Sequence, residues 1–169
     1  MELSSVPTDA ELRELAQAVA DETLRQRLML VTAESCTGGW VAKTLTDLPG
    51  SSAWFDAGVV AYSYEAKQAL LGVDPRILER VGAVSEEIAL EMVSGALARF
   101  GAGVAVAVTG IAGPGGGTVD KPVGTVWIAW KRRGGYAHAQ LFRFDGDREA
   151  VRRQTVAAAL GGLRKTLTE

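Results

Sequence analysis

The chain has 169 residues, of which 47% are hydrophobic and 22% charged, with a formal net charge of −2 at pH 7. This length and composition predict one compact domain over residues 1–169, with enough chain for a substantial apolar core. Because the charge balance is slightly acidic and no Lys/Arg-rich tail or stripe is present, sequence-independent binding to nucleic acid is not expected.

The first predicted elements alternate between helix and strand. Thr8 and Glu11 form a capping-box pattern, and the apolar spacing after them predicts an amphipathic helix over about 9–25. A short apolar strand is predicted over 28–32, followed by a helix over about 36–47. A second strand is predicted over 58–62, and Ser63 can cap a short helix after it.

The second half of the chain predicts two helices and then a run of strands. Helices are predicted after Asp74-Pro75 and from Ser85 to Gly101. The apolar run over 104–109 is typical of a central strand covered on both faces, and strands over 123–130 and 136–144 form a hairpin after it. The basic residues at 131–133 are interpreted as a solvated hairpin tip. A last helix follows Asp147, so we predict an α/β fold with a mixed sheet of five strands.

Cysteine and histidine occur once each, as Cys36 and His138. An internal disulfide and a Cys-based metal site are therefore excluded. Because His138 alternates within a predicted strand, we interpret it as structural, which excludes Ser-His-Asp, Cys-His and His-rich zinc sites unless a second chain contributes. The chain shows no apolar signal segment and no run of 18 apolar residues. We expect a soluble, cytoplasmic protein without a membrane partner.

The segment 28–40, LMLVTAESCTGGW, gathers small polar residues where the predicted strand meets the predicted helix. Such a turn can expose a nucleophile and hold an anion or an oxyanion on backbone N–H groups. Ser35 is either that nucleophile or a helix cap, and the pattern leaves both possible. Cys36 is a weaker candidate because the sequence shows no thiolate-stabilising partner. Glu34 can cap the helix or pair with a base.

Without a histidine, a serine nucleophile needs another base, and a lysine can serve if its pKa is lowered. Among the five lysines, Lys67 follows the strand over 58–62, whose end can meet Ser35 at one edge of the sheet. Open α/β sheets place ligands at that edge. Tyr62, at the same strand end, can polarise a hydroxyl or bond the amine. The alternatives are an exposed helical lysine and a half-buried strand aromatic.

The glycine-rich segment 110–117 follows a predicted strand but matches neither GxxxxGK[ST] nor an intact GxGxxG, so a nucleotide-binding P-loop is not expected. Its glycines still allow a close backbone approach to a ligand, and Thr109 adds a hydroxyl at the strand end. The alternative is a mobile surface loop. Arg148 and Arg152 lie one helical turn apart and can either bind a phosphate or form a solvated helix face.

Seven motifs occur in one order along the chain: AESCTGG at 33–39, PGSS at 49–52, GVVAYSYEAK at 58–67, AVSEE at 83–87, TGIAGPGGG at 109–117, KPVGTVWIA at 121–129 and FDGDREAVR at 144–152. Over about residues 9–165 the chain thereby resembles the CinA C-terminal domain family, whose characterised enzymes are nicotinamide mononucleotide (NMN) deamidases. The resemblance implies a single three-layer α/β/α domain and a homo-oligomer. It also implies metal-free hydrolysis of NMN to nicotinate mononucleotide and ammonia, in pyridine nucleotide salvage. No cofactor is expected.

The same resemblance implies roles for individual residues. Ser35 would be the nucleophile, Lys67 the general base, and Tyr62 would assist them. The residues expected to bind substrate, directly or through backbone N–H groups of the turn, are Cys36, Thr37, Gly38, Gly39, Ser52, Thr109, Gly110, Arg148 and Arg152. The alternative function is that of a non-catalytic ligand-binding or competence/damage-associated accessory protein.

Overall fold

The structure, a computed structural model, describes residues 6–169. In chain order these residues form α1 (Asp9–Arg25), β1 (Leu30–Glu34), α2 (Trp40–Thr46), a 3₁₀ turn (Ser51–Ala53), β2 (Phe55–Val60), α3 (Tyr64–Leu71), α4 (Pro75–Val81), α5 (Glu86–Arg99), β3 (Val104–Gly110), β4 (Thr125–Arg132), β5 (His138–Arg143) and α6 (Arg148–Thr168). Helix and strand alternate as the apolar periodicity predicts.

The five strands form one mixed sheet in the order β2-β1-β3-β4-β5. Strands β2, β1 and β3 run parallel, with Glu34 at the end of β1 opposite Val60 of β2 and Val108 of β3. Strands β4 and β5 are antiparallel to their neighbours, as expected for a late hairpin. The predicted α/β class and mixed five-stranded sheet are confirmed.

Each face of the sheet carries its own helical layer, which confirms the three-layer arrangement. The side chains of β1 and β3 alternate between the faces because successive strand residues point in opposite directions. Leu30 and Val106 pack with α1, α2 and α6, whereas Val31 and Ala105 pack with the layer of α3, α4 and α5. Burial of both faces explains why the central strands are almost wholly apolar.

The predicted bounds of three elements around the serine-containing turn are wrong. Strand β1 ends at Glu34, two residues beyond its predicted end, and β2 runs from Phe55 to Val60 instead of over 58–62. Helix α2 begins at Trp40, not at residue 36. The physical reason is Gly39, which has a left-handed φ of 97°, so that residues 35–39 form an open turn and not a first helical turn.

The predicted solvated hairpin tip over the basic residues 131–133 is correct only for Arg133, which is exposed in the turn between β4 and β5. Lys131 and Arg132 belong to β4. The Arg133 guanidinium donates to the carbonyls of Ala102 and Phe100, each at 2.8 Å, and to that of Leu97. These carbonyls lie at the end of α5 and just beyond it, where helix carbonyls lack partners within the helix. The sequence did not predict this capping role, because it depends on a tertiary contact between the hairpin and α5.

The topology places a crevice beside the serine-containing turn. From β1 the chain passes through α2 to β2 on one side, and it returns through α3, α4 and α5 to β3 on the other side. The carboxyl ends of β1 and β3 therefore lie at a topological switch point, where open α/β sheets bind their ligands. Ser35 directly follows β1, and Thr109 lies near the end of β3.

Candidate active site

The structure brings the candidate nucleophile and base into direct contact. Ser35 is fixed at the end of β1 by its N–H, which donates to the Val108 carbonyl at 3.1 Å. Lys67 lies in the first turn of α3, whose N-cap is Ser63. The Lys67 Nζ atom is 3.0 Å from the Ser35 Oγ atom, and the whole lysine is only 1% exposed. The alternative of an exposed helical lysine is therefore wrong.

Two backbone carbonyls orient the Lys67 amine. Its Nζ lies 3.0 Å from the Ala61 oxygen and 3.1 Å from the Tyr62 oxygen, in the segment that joins β2 to α3. A neutral amine has two N–H donors and one lone pair. When both donors bond to these carbonyls, the lone pair faces the Ser35 hydroxyl, which can then donate its proton. This is the geometry that a general base requires.

Burial lowers the pKa of Lys67 below its usual value of 10.5, and the neighbouring Cys36 opposes this effect in part. The physical cause is that an ammonium group loses its hydration inside the protein, so the neutral form is favoured. The environment therefore shifts Lys67 towards the protonation state in which it can accept a proton.

Cys36 is not activated. Its thiol is buried, and burial, helped by the nearby Glu34 carboxylate, raises its pKa to about 12. A nucleophilic cysteine needs a thiolate, and a thiol with this pKa remains protonated near neutral pH. The electrostatics thus favour the serine over its neighbour.

Glu34 supports the turn and does not pair with Lys67. Its carboxylate accepts hydrogen bonds from the Thr37 hydroxyl at 2.6 Å and from the N–H groups of Val41 and Ala42 at 2.8 and 3.0 Å. Burial raises the pKa of this carboxyl group, and the three hydrogen bonds counteract that effect. Of the two roles open from the sequence, the structure selects capping of α2.

A cavity of about 260 Å³ opens above Ser35 and Lys67, and residues 109–113 with Gly115 and Gly116 form much of its wall. The Thr109 hydroxyl donates to the Ala83 carbonyl at 2.8 Å, which ties the end of β3 to the segment before α5. Ala83 and Val84 also line the cavity, although sequence reasoning assigned them no role. The AVSEE motif at 83–87 could have indicated them. It immediately precedes the helix that leads into β3, and such a helix begins at the carboxyl ends of the parallel strands, where the cavity lies.

Arg148 and Tyr62 meet at the rim of this cavity. The Arg148 guanidinium donates to the Gly113 carbonyl at 2.8 Å and lies 3.2 Å from the Tyr62 hydroxyl. Tyr62 is 58% exposed, so it is not the half-buried strand aromatic of the alternative interpretation. Its carbonyl, and not its hydroxyl, bonds the Lys67 amine.

The remaining predicted residues lie outside the cavity. Thr37, Gly38, Gly39 and Arg152 line a separate depression on the outer side of the turn. Ser52 is exposed in the 3₁₀ turn, close to the point where the Leu30 N–H donates to the Trp54 carbonyl. That contact lies at the start of β1, whereas Ser35 follows the end of β1. The two serines are therefore at opposite ends of the strands.

Other features of residues 6–169 bear on the wider function. A larger apolar groove of about 670 Å³ lies between α6 and strands β4 and β5, remote from Ser35 and Lys67. Among the described residues, no group of three or more His, Cys, Asp or Glu side chains is placed to hold a metal ion. None of the helices in this part of the chain has the length and apolar character needed to cross a membrane.

Comparison with known proteins identifies the family. The model of the CinA C-terminal domain matches residues 12–167. The chain belongs to the CinA C-terminal domain family. It is 53% identical over 155 residues to a Pseudomonas putida protein named "Nicotinamide-nucleotide amidohydrolase PncC", covering 92% of this chain and 96% of that protein. A protein of the same name from Escherichia coli K12 is 50% identical, covering 90% and 93%.

Solved structures of this family share the fold. The competence/damage inducible protein CihA from Agrobacterium tumefaciens superposes with a TM-score of 0.91 at 45% identity, covering 99% of this chain and all of that chain. A "CinA-like protein" from Akkermansia muciniphila is 51% identical over 149 residues, which are 88% of this chain but 36% of that protein. In such longer relatives, this domain is one part of the chain.

Proposed function

We propose that this protein hydrolyses the carboxamide of nicotinamide mononucleotide, releasing ammonia and nicotinate mononucleotide, as part of pyridine nucleotide salvage. The observation that carries the proposal is the 3.0 Å contact between Lys67 Nζ and Ser35 Oγ, buried at the switch point of the sheet. The names of the relatives at 50–53% identity support the choice of substrate.

The reaction follows from the geometry of the proposed Ser-Lys pair. The neutral Lys67 amine accepts the Ser35 proton as Oγ attacks the carboxamide carbon, forming a tetrahedral oxyanion. The resulting ammonium then gives its proton to the leaving nitrogen, so that the C–N bond breaks and ammonia leaves. Water, deprotonated by the same amine, attacks the acyl-enzyme, releasing the carboxylic acid and restoring Ser35.

The Cys36 N–H is the proposed donor to the oxyanion. It directly follows the nucleophile, and in α/β hydrolases the N–H after the nucleophile has this function. Two other amides of the turn are occupied: the Ser35 N–H donates to Val108, and the Gly38 N–H donates to the Ser35 carbonyl at 3.1 Å. An oxyanion donor on the backbone is held by the fold before substrate arrives, which is what makes such donors effective.

Arg148 is the proposed partner of the substrate phosphate. Two of its N–H groups contact Gly113 and Tyr62, and a guanidinium has five N–H donors, so three remain for a ligand. Its place at the cavity rim separates its charge from the buried Lys67. This arrangement suits NMN, because the positively charged pyridinium ring would enter beside a neutral amine while the phosphate stays at the rim.

The direct test is incubation of the purified protein with NMN, with ammonia and nicotinate mononucleotide measured in parallel. We expect the two products in equal amounts and a loss of about 10³-fold or more in Ser35→Ala, because the nucleophile is removed. Ser51→Ala, at a half-buried serine in the 3₁₀ turn, serves as the matched control and should retain activity. Undiminished turnover by Ser35→Ala would refute the mechanism. Binding of NMN by the wild type without turnover would favour the non-catalytic alternative.

A further inference from the structure

Arg152 contacts the outer side of the nucleophile-bearing turn. From its half-buried position in α6, its Nε donates to the Cys36 carbonyl at 3.1 Å and its Nη2 donates to the Thr37 carbonyl at 3.2 Å. The guanidinium also lies over the Trp40 ring, 5.4 Å from the ring centroid. A planar guanidinium is well suited to bond two adjacent carbonyls in this way, whereas an ammonium is a compact charge without such a rigid fork of donors.

These contacts turn Arg152 away from the substrate. It lines the depression on the outer side of the turn, whereas Ser35 and Arg148 line the cavity. Packing there is close, because a Cβ atom on Gly38 would lie 3.3 Å from the Arg152 Nη2 atom. A phosphate at the cavity rim would therefore meet Arg148, and not Arg152.

The bonds to Arg152 determine how the peptide planes of the turn are oriented. A trans peptide is planar, so fixing the Thr37 carbonyl also fixes the Gly38 N–H, which points the opposite way and closes the turn onto the Ser35 carbonyl at 3.1 Å. On the inner side of the turn, the Glu34 carboxylate accepts a hydrogen bond from the Thr37 hydroxyl. The turn is thus held from two sides: the Arg152 guanidinium binds its carbonyls, and the Glu34 carboxylate binds the Thr37 hydroxyl.

We propose that Arg152 is a positioning residue: it fixes the turn over residues 35–39 so that the Ser35 hydroxyl stays within hydrogen-bond distance of Lys67. For its effect on amide hydrolysis this inference rests on the proposed function. Its effect on Ser35 itself does not, because the serine–lysine contact can be probed without NMN.

The first experiment measures how fast Ser35 is sulfonylated by phenylmethanesulfonyl fluoride, a probe without phosphate, with the labelled peptide identified by mass spectrometry. We expect Arg152→Gln to slow labelling by about 10²-fold, because misplacement of a reacting group by about 1 Å has effects of that size. Arg153→Gln is the matched control. Its side chain also lies over Trp40, but it pairs with Asp9 and Glu149 and not with the turn. Ser35 of this control should be labelled at a rate within about threefold of wild type, because ion pairs with exposed carboxylates contribute little.

Arg152→Lys distinguishes positioning from folding. A lysine keeps the charge and the N–H donors but lacks the rigid fork that spans the two carbonyls, so its labelling rate should lie between those of wild type and Arg152→Gln, and it remains the test variant if Arg152→Gln does not fold. Thermal unfolding of each variant verifies the folded state. Arg152→Gln labelled as fast as wild type would overturn the inference, and so would a wild type that is not labelled at Ser35.

The second experiment compares NMN with nicotinamide riboside, which lacks the phosphate. A positioning residue predicts that Arg152→Gln lowers kcat by a similar factor on both substrates while KM changes little. An increase in KM confined to NMN would show that Arg152 binds phosphate and would overturn the inference. If wild type is labelled at Ser35 but hydrolyses neither substrate, the proposed function fails, while the labelling rates still decide the role of Arg152.

Discussion

Replacement of Lys67 by methionine tests the proposed base with the least change in shape. Methionine keeps an unbranched apolar chain in a site that is 1% exposed, but it removes the amine that lies 3.0 Å from Ser35 Oγ. Loss of a positioned general base lowers turnover by about 10²- to 10⁴-fold. We therefore expect Lys67→Met to release ammonia from NMN at a rate lower by that factor.

The same substitution has a calculable effect on stability. The buried Ala61 carbonyl loses its donor, and an unsatisfied buried acceptor costs about 1–3 kcal/mol. For a chain of this size each kcal/mol lowers Tm by about 2–4 °C. The Tyr62 carbonyl belongs to an exposed residue, so water can replace the amine there. The variant should remain folded at assay temperature.

The lowered pKa of Lys67 makes both the activity and the stability of wild type depend on pH. Between the folded pKa and the usual unfolded value of about 10.4, the unfolded chain holds the proton and the folded chain does not. The free energy of unfolding of wild type, relative to Lys67→Met, should therefore rise with pH across this window and be independent of pH below the folded pKa and above the unfolded pKa. The kcat/KM of wild type should rise with pH as the amine becomes neutral.

Calorimetry or denaturant titration at several pH values measures the change in stability. Ammonia release from the same samples measures the change in activity. Lys165→Met is the matched control, since this exposed lysine pairs with Glu169 at the end of α6. If Lys67→Met keeps more than about a tenth of the wild-type kcat/KM, or if its rate rises with pH as wild type does, Lys67 is not the general base.

Further substitutions test other parts of the structure. Arg148→Gln should raise KM for NMN by about tenfold or more and leave nicotinamide riboside unaffected, because a hydrogen bond to a charged group is lost; equal effects on both substrates would contradict its phosphate-binding role. The Cys36 thiol, with a pKa raised to about 12, should resist iodoacetamide at pH 8 in the folded protein, and rapid alkylation would show that it is accessible and ionised. Gly162→Ala should destabilise by about 1–3 kcal/mol, because its Cβ would lie 2.1 Å from the Trp130 ring. Gly161→Ala, with open space around its Cβ, should instead stabilise by about 0.5–1 kcal/mol, which denaturant titration of the pair measures directly.

Much of the fold could be predicted from local patterns. The capping box at Thr8 and Glu11 and the N-cap at Ser85 are local hydrogen bonds between residues three apart, so their sequence signals transfer directly to structure. The wholly apolar run of β3 likewise predicts a central strand, because only a strand covered on both faces can bury every side chain. The late hairpin predicts the change from parallel to antiparallel pairing.

Part of the site was also predictable by elimination. The single histidine and single cysteine left a lysine as the only plausible base for Ser35, and the order of elements placed Lys67 after a strand next to β1. The sequence could not assign a protonation state. The pKa of Lys67 depends on the burial created by the whole molecule, which no local pattern encodes.

The sequence by itself determined the class of the fold, the order of its elements and the few residue types available for chemistry, since these depend on local periodicity, capping and composition. Only the tertiary structure decided which charged side chains face the cavity. Arg148 and Arg152 are one helical turn apart and look equivalent in sequence. Yet the first lies at the cavity rim, and the second bonds the back of the turn that bears Ser35. The reason is that the partners of these side chains, Gly113 and Cys36, come from distant parts of the chain and meet them only after the sheet and both helical layers have packed.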